Sequence, residues 1–261
     1  MLFTQLAFGL SLPYPRRVSV TIGIGMLALI VGGLMAWLLV ARGGASPAAA
    51  IGSIGLAMAV EWSLAASGVL ARWSLRPPPF MLMMAALLVL TLAIALGGVG
   101  RRITDNASFA VLIGIQAFRL PLELVMHEAA RQGIMPAQMS YSGWNFDIAT
   151  GALAIPIALA AAAGRAPRWL ILGWNLLGLL LLINIVTIAI VSTPLVAAFG
   201  ADHLNTWVAN PPYVWLPGVL VPTARWRSVW PADRRVHGRA RGTSPRPSRW
   251  VRSGEWARGA L

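Results

Sequence analysis

Long apolar runs at 18–40, 47–70, 80–99, 107–130, 145–163 and 169–191 constrain this chain more than any motif in it. Each is about 20 residues long, enough for a helix to cross the hydrocarbon core of a bilayer. The 57% share of hydrophobic residues and the 11% share of charged ones leave no room for a sizeable soluble domain. The expected fold is therefore all-α: a polytopic transmembrane helix bundle of six spans, a short seventh apolar segment at 212–221, and a disordered basic C-terminal tail. The first run is too long for the apolar core of a cleaved signal peptide and is expected to be retained.

Three regions follow: an N-terminal segment at 1–17, the bundle at 18–224, and an arginine-rich tail at 225–261. All 21 basic residues are arginine, which fits a GC-rich coding sequence and points to a bacterial inner (plasma) membrane. Ten of them fall in the tail, opposed only by Asp233 and Glu255, so most of the net charge of +13 resides there. The tail lacks apolar periodicity and is rich in Pro, Gly and Ser, the composition of a disordered extension. Anionic lipid headgroups are a simpler partner for it than nucleic acid, which is not expected. With six spans, the arginine bias favours both termini in the cytoplasm. Trp73, Trp144, Trp169, Trp207 and Trp215 fall near span ends, as an interfacial aromatic belt requires.

The segment at 212–221 is too short to span and is broken by Pro217 and Pro222. It reads either as a re-entrant or interfacial piece, or as the start of a seventh helix whose continuation has been lost, as a reading-frame error would cause. On the second run, Ala48, Gly52, Gly55 and Ala59 stand at spacings that let another helix approach closely. The third run, almost devoid of polar side chains, is expected at the bundle periphery.

Polar chemistry concentrates on the fourth run. Arg119, Glu123, His127 and Arg131 follow one another at i+4 spacing, with Gln116 on the same arc. Ionisable groups at membrane depth face a bundle interior or a water-filled cavity. Pro121 is expected to kink this helix beside Arg119. An antiparallel connection to the fifth run brings Asn145 and Asp147 near His127 and Arg131. In this reading Arg119 pairs with Glu123, and His127 reaches Glu123 or Asp147 and can exchange a proton near neutral pH. The competing account is a salt-bridge ladder, with Asn145 as N-cap of the fifth helix and Asp147 complementing its dipole.

Glu61 stands alone in the second run, and Arg119 is its natural partner across the bundle. The substrate or proton-relay candidates are thus Glu61, Gln116, Arg119, Glu123, His127, Arg131, Asn145 and Asp147. The absence of cysteine excludes disulfides, thiolate metal sites, iron–sulfur clusters and covalent c-type haem. The spacing of His127, His203 and His237 fixes no ligand pair, and no metalloprotease, phosphate-loop or nucleophile-elbow motif is present, so no metal and no cofactor is expected.

Residues 118–152, FRLPLELVMHEAARQGIMPAQMSYSGWNFDIATGA, resemble the signature region of a group of uncharacterised bacterial multi-pass integral membrane proteins. The resemblance implies a helical membrane fold whose last apolar segment continues as a full helix, whereas here it breaks off near Thr223. It implies no activity and no site residue. A small-molecule or proton-linked transporter or binding protein is expected first. A membrane-embedded enzyme and a structural or accessory membrane subunit are the alternatives.

Overall fold

The computed structural model describes residues 18–220, and among these every regular element is helical. A helix satisfies its backbone hydrogen bonds internally, as an apolar surrounding demands. The N-terminal segment, the tail, its disorder and its lipid partners lie outside the described residues. Five helical stretches are long and apolar enough to cross a membrane: α1 (Val18–Ala41), α2 (Pro47–Ala66), α3 (Pro79–Leu96), the stretch Phe109–Arg131, and the last long helix, Arg168–Val191. After α3 come α4 (Gly98–Asn106), α5 (Phe109–Ile115), α6 (Arg119–Arg131), α7 (Ile148–Ala162) and α8, which is Arg168–Val191. The 145–163 run yields only the 15 residues of α7, about 22 Å, because 145–147 belong to the preceding loop. Six expected spans become five long helices and one short one.

Helix starts are set locally. The Ser46 and Ser108 hydroxyls accept the amides of Ala49 and Val111, capping α2 and α5, and Pro47 and Pro79 occupy first-turn positions where a missing N–H is harmless. The short α4 was not expected; α3 stops at Gly97, and Ile103 of α4 joins Met35 and Leu38 of α1 in one apolar cluster. Arg42 and Asn106 bind each other's backbone carbonyls, tying the end of α1 to the end of α4.

The distribution of side chains is reversed relative to a water-soluble fold. Leu56, Val89, Leu159 and Leu176 face outward, while Glu61, Arg119, Glu123, Asn145 and Asp147 are buried. α1 is central: Val20, Ile24, Ala28 and Val31 are enclosed, and the helix packs against α2, α6 and the segment 216–220. α3 lies at the periphery with only Phe80 and Ala95 of its residues buried, as its composition predicts. The small-residue stripe of α2 meets no helix; Gly52 and Gly55 are exposed, with open space where a Cβ would stand.

The last apolar segment is built into the core. Trp207 is fully buried, Tyr213 and Val214 join it, and a π-helical turn, Leu216–Leu220, closes against α1, α2 and α3. Up to Val219 the segment is thus packed inside the helical core, and any continuation lies beyond the described residues. Trp207 is likewise a core residue rather than a member of an interfacial belt, whereas Trp144 and Trp169 are exposed.

Candidate functional site

The fourth apolar run is not one continuous helix. α5 gives way to a 3-10 turn at Gln116–Phe118, and α6 restarts at Arg119. Pro121 falls in the first turn of the new helix, where its lack of an N–H matters least. The expected kink is thus a break placed one turn earlier, and it delivers Arg119 as the first residue of α6. Gln116 is buried within the 3-10 turn.

α6 ends in a glycine-terminated reversal. Gly133 has φ +68°, the Ile134 amide bonds to the Ala129 carbonyl, and the Gly133 amide bonds to the Ala130 carbonyl. That reversal turns the loop 134–147 back along α6. The Gln138 side chain anchors the loop by donating to the Ser192 hydroxyl and the His203 carbonyl, at the far end of α8.

Two buried pairs result. Arg119 Nε lies 2.8 Å from Asp147 Oδ2, with both side chains almost fully buried. Asn145 Nδ2 stands 2.9 Å from each carboxylate oxygen of Glu123 and also donates to the Met139 carbonyl at 3.1 Å. The Asp147 amide bonds to Asn145 Oδ1 at 3.1 Å, linking the two pairs. The N-cap expected at Asn145 falls at Asp147 instead. Asp147 holds the N-cap position of α7 but makes no side-chain capping bond; its carboxylate turns to Arg119 instead. Asn145 serves the loop and Glu123 rather than the helix end.

Glycines make this approach possible. A Cβ on Gly151 would collide with the backbone of Arg119 and Leu120, so α7 crosses the start of α6 at backbone distance. Gly178 of α8 faces the Arg119 guanidinium and Thr150. Thr150, Gly151 and Gly178 were not candidates from sequence. Their small size was the available signal, but it recurs throughout an Ala- and Gly-rich chain.

The rest of the predicted cluster disperses. His127 stacks on Tyr141 with ring centroids 4.3 Å apart, and its Nδ1 lies 3.3 Å from the Ser142 hydroxyl, so it serves the loop rather than Glu123 or Asp147. Arg131 is exposed and pairs with Glu128, which also accepts from Gln132. Glu61 does not meet Arg119; its carboxylate abuts Gly218 of the π-helical turn. Helical drift explains the dispersal: by one or two turns beyond Glu123 the stripe has rotated toward the surface.

A cavity of about 250 Å³ adjoins the buried pairs, walled by Met84 and Leu88 of α3, Leu122 of α6, Leu182 and Ala189 of α8, and Trp207 and Leu216 of the last segment. Arg119, Glu123 and Asp147 also line it, so an otherwise apolar space carries its charge in one place. Arg119 Nη2 and Asp147 Oδ1 are buried without a hydrogen-bond partner; Thr150 lies beside Asp147, but its hydroxyl does not meet that oxygen in hydrogen-bond geometry. Among the described residues no group of His, Asp and Glu side chains is placed to hold a metal ion.

Asn145 is the joint of this arrangement. Asn145→Leu keeps the volume but removes the donor from Glu123, the Met139 contact and the acceptor of the Asp147 amide, with an expected loss of about 2–4 kcal/mol of folding stability. Equilibrium unfolding in mixed micelles measures it, and a variant as stable as the parent would show that the two pairs are energetically independent. No protein-family model, curated protein or solved structure matches this chain.

Proposed function

We propose that this chain is a multi-pass protein of a bacterial inner membrane that binds, and by the same site carries, a small mainly apolar molecule with one polar end. α7 serves as a short sixth crossing, and both termini face the cytoplasm in keeping with the arginine bias. The observation that carries the binding reading is the cavity: apolar walls for the body of a ligand, with a buried arginine and two carboxylates converging at one place on its lining. The spare Arg119 Nη2 donor and Asp147 Oδ1 acceptor support a polar end that both accepts and donates a hydrogen bond.

The same two atoms speak against a purely structural role, which predicts charges satisfied by one another. The enzyme reading has less support, since Asn145 holds both Glu123 oxygens and Arg119 holds one oxygen of Asp147.

The chain contains no cysteine, so single cysteines report cleanly. Cysteines replacing Met84, Leu122 and Ala189 on the cavity wall are expected to react with a small charged thiol reagent, whereas one replacing the outward-facing Val89 stays unreactive in the bilayer. Reaction from both faces of oriented vesicles supports carriage, and reaction from one face supports binding alone. Cavity-wall cysteines as inert as the one at position 89 would overturn the reading.

A further inference from the structure

Glu61 lies outside the cavity, and its setting differs from that of the other buried acids. The residue is 4% exposed, and Oε2 has no hydrogen-bond partner. Around it the last segment is clamped onto α2: Trp62 and Trp215 pack with ring centroids 5.1 Å apart, and Trp215 Nε1 donates to the Met58 carbonyl at 3.0 Å. Gly218 then backs directly onto the carboxyl group, leaving no room for a Cβ. Among the described residues, the neighbouring α1, the 3-10 turn Val69–Ala71 and the turn Leu216–Leu220 contribute no charged side chain. The phenol of Tyr213 on the same last segment is engaged with the Thr21 hydroxyl.

We propose that Glu61 is a proton-binding site and that the turn Leu216–Leu220 links its protonation to the cavity. Among the described residues the site is a carboxyl group with one unpartnered oxygen and no competing cation, so a proton is the ligand that fits the space. The step is simple association of a solvent proton with the carboxylate; no other bond changes. Linkage follows from continuity of the chain, because Leu216 and Pro217 wall the cavity while Gly218 touches the carboxyl. Adding a proton alters the contact with Gly218, and a ligand pressing on Leu216 alters the same turn from its other side. This second half rests on the cavity reading; the proton site does not.

Infrared pH-difference spectra of the full-length protein in lipid test the site. A carboxylic-acid C=O band, lost in Glu61→Gln and kept in Glu123→Gln, is expected to fade on alkalinisation, the protonated form falling about tenfold per pH unit once the carboxylate dominates. The absence of a Glu61-dependent band, or a band that pH does not move, would overturn the proton site. For the linkage, a cysteine replacing Leu216 is labelled across the same pH range, with each rate divided by that in the Glu61→Gln background. A severalfold pH dependence of this ratio is expected, and a flat ratio overturns the linkage. If the cysteines at 84, 122 and 189 also fail to label, the cavity reading falls while the infrared result stands by itself.

Discussion

Arg119→Met is expected to lower folding stability by about 3–5 kcal/mol, the magnitude associated with stripping one partner from a buried ion pair. Methionine matches the arginine stem in length and apolar character, so packing is largely kept while Asp147 is left buried without its guanidinium. Removing both charges as Arg119→Met with Asp147→Leu is expected to recover most of the loss, since apolar replacement of an entire buried pair is often neutral or favourable. The double-mutant cycle, measured by equilibrium unfolding in mixed micelles, separates pairing from packing. If the single variant were as stable as the parent, the ion pair would have no part in holding α6 to α7. The double variant also bears on function: with its fold recovered, it is expected to lose ligand binding, because the spare donor and acceptor disappear together.

Gly151→Ala is expected to disturb the crossing of α7 over α6 directly. One methyl group is added, but it would stand against the backbone of Arg119 and Leu120, which cannot rotate away as a side chain can. Either α7 moves off α6, lengthening the Arg119–Asp147 contact, or the strain is retained; a loss of about 1–3 kcal/mol or more follows. Gly173→Ala on α8 is the internal control, because open space surrounds that position and no loss is expected there. Equal stability of the two variants, read by thermal unfolding in one detergent, would contradict the close crossing.

Much of the outline was legible in the sequence because it depends on one-dimensional properties. Run length and hydropathy placed α1, α2, α3 and α8 with ends within a few residues of those observed. The rarity of charge in such runs draws attention to Arg119 and Glu123, and the antiparallel connection to the fifth run adds Asn145 and Asp147. Their pairing did not follow. Helical spacing joins Arg119 to Glu123, yet the loop 134–147 presents Asp147 to the arginine and Asn145 to Glu123. The i+4 rule describes neighbours on an isolated helix, and a cross-chain partner with better geometry displaces them.

The same limit explains the misplacement of His127, Arg131 and Glu61. Position along a helix does not fix what each of them meets: His127 meets the Tyr141–Ser142 loop, Arg131 meets Glu128, and Glu61 lies against Gly218 with its Oε2 unpartnered. Trp207 was misread for a similar reason: proximity to a span end is a property of the chain, while burial depends on what folds over it.

Sequence alone determined that this protein is a helical bundle with an apolar exterior and a small set of interior charges, because hydrophobic run length and the expense of burying charge act residue by residue. Only the tertiary structure decided which charges meet, that an apolar cavity adjoins them, and that Glu61 stands apart against Gly218. Those outcomes depend on loop closure and on glycine-permitted approach between distant segments, and neither is encoded at any fixed spacing along the chain.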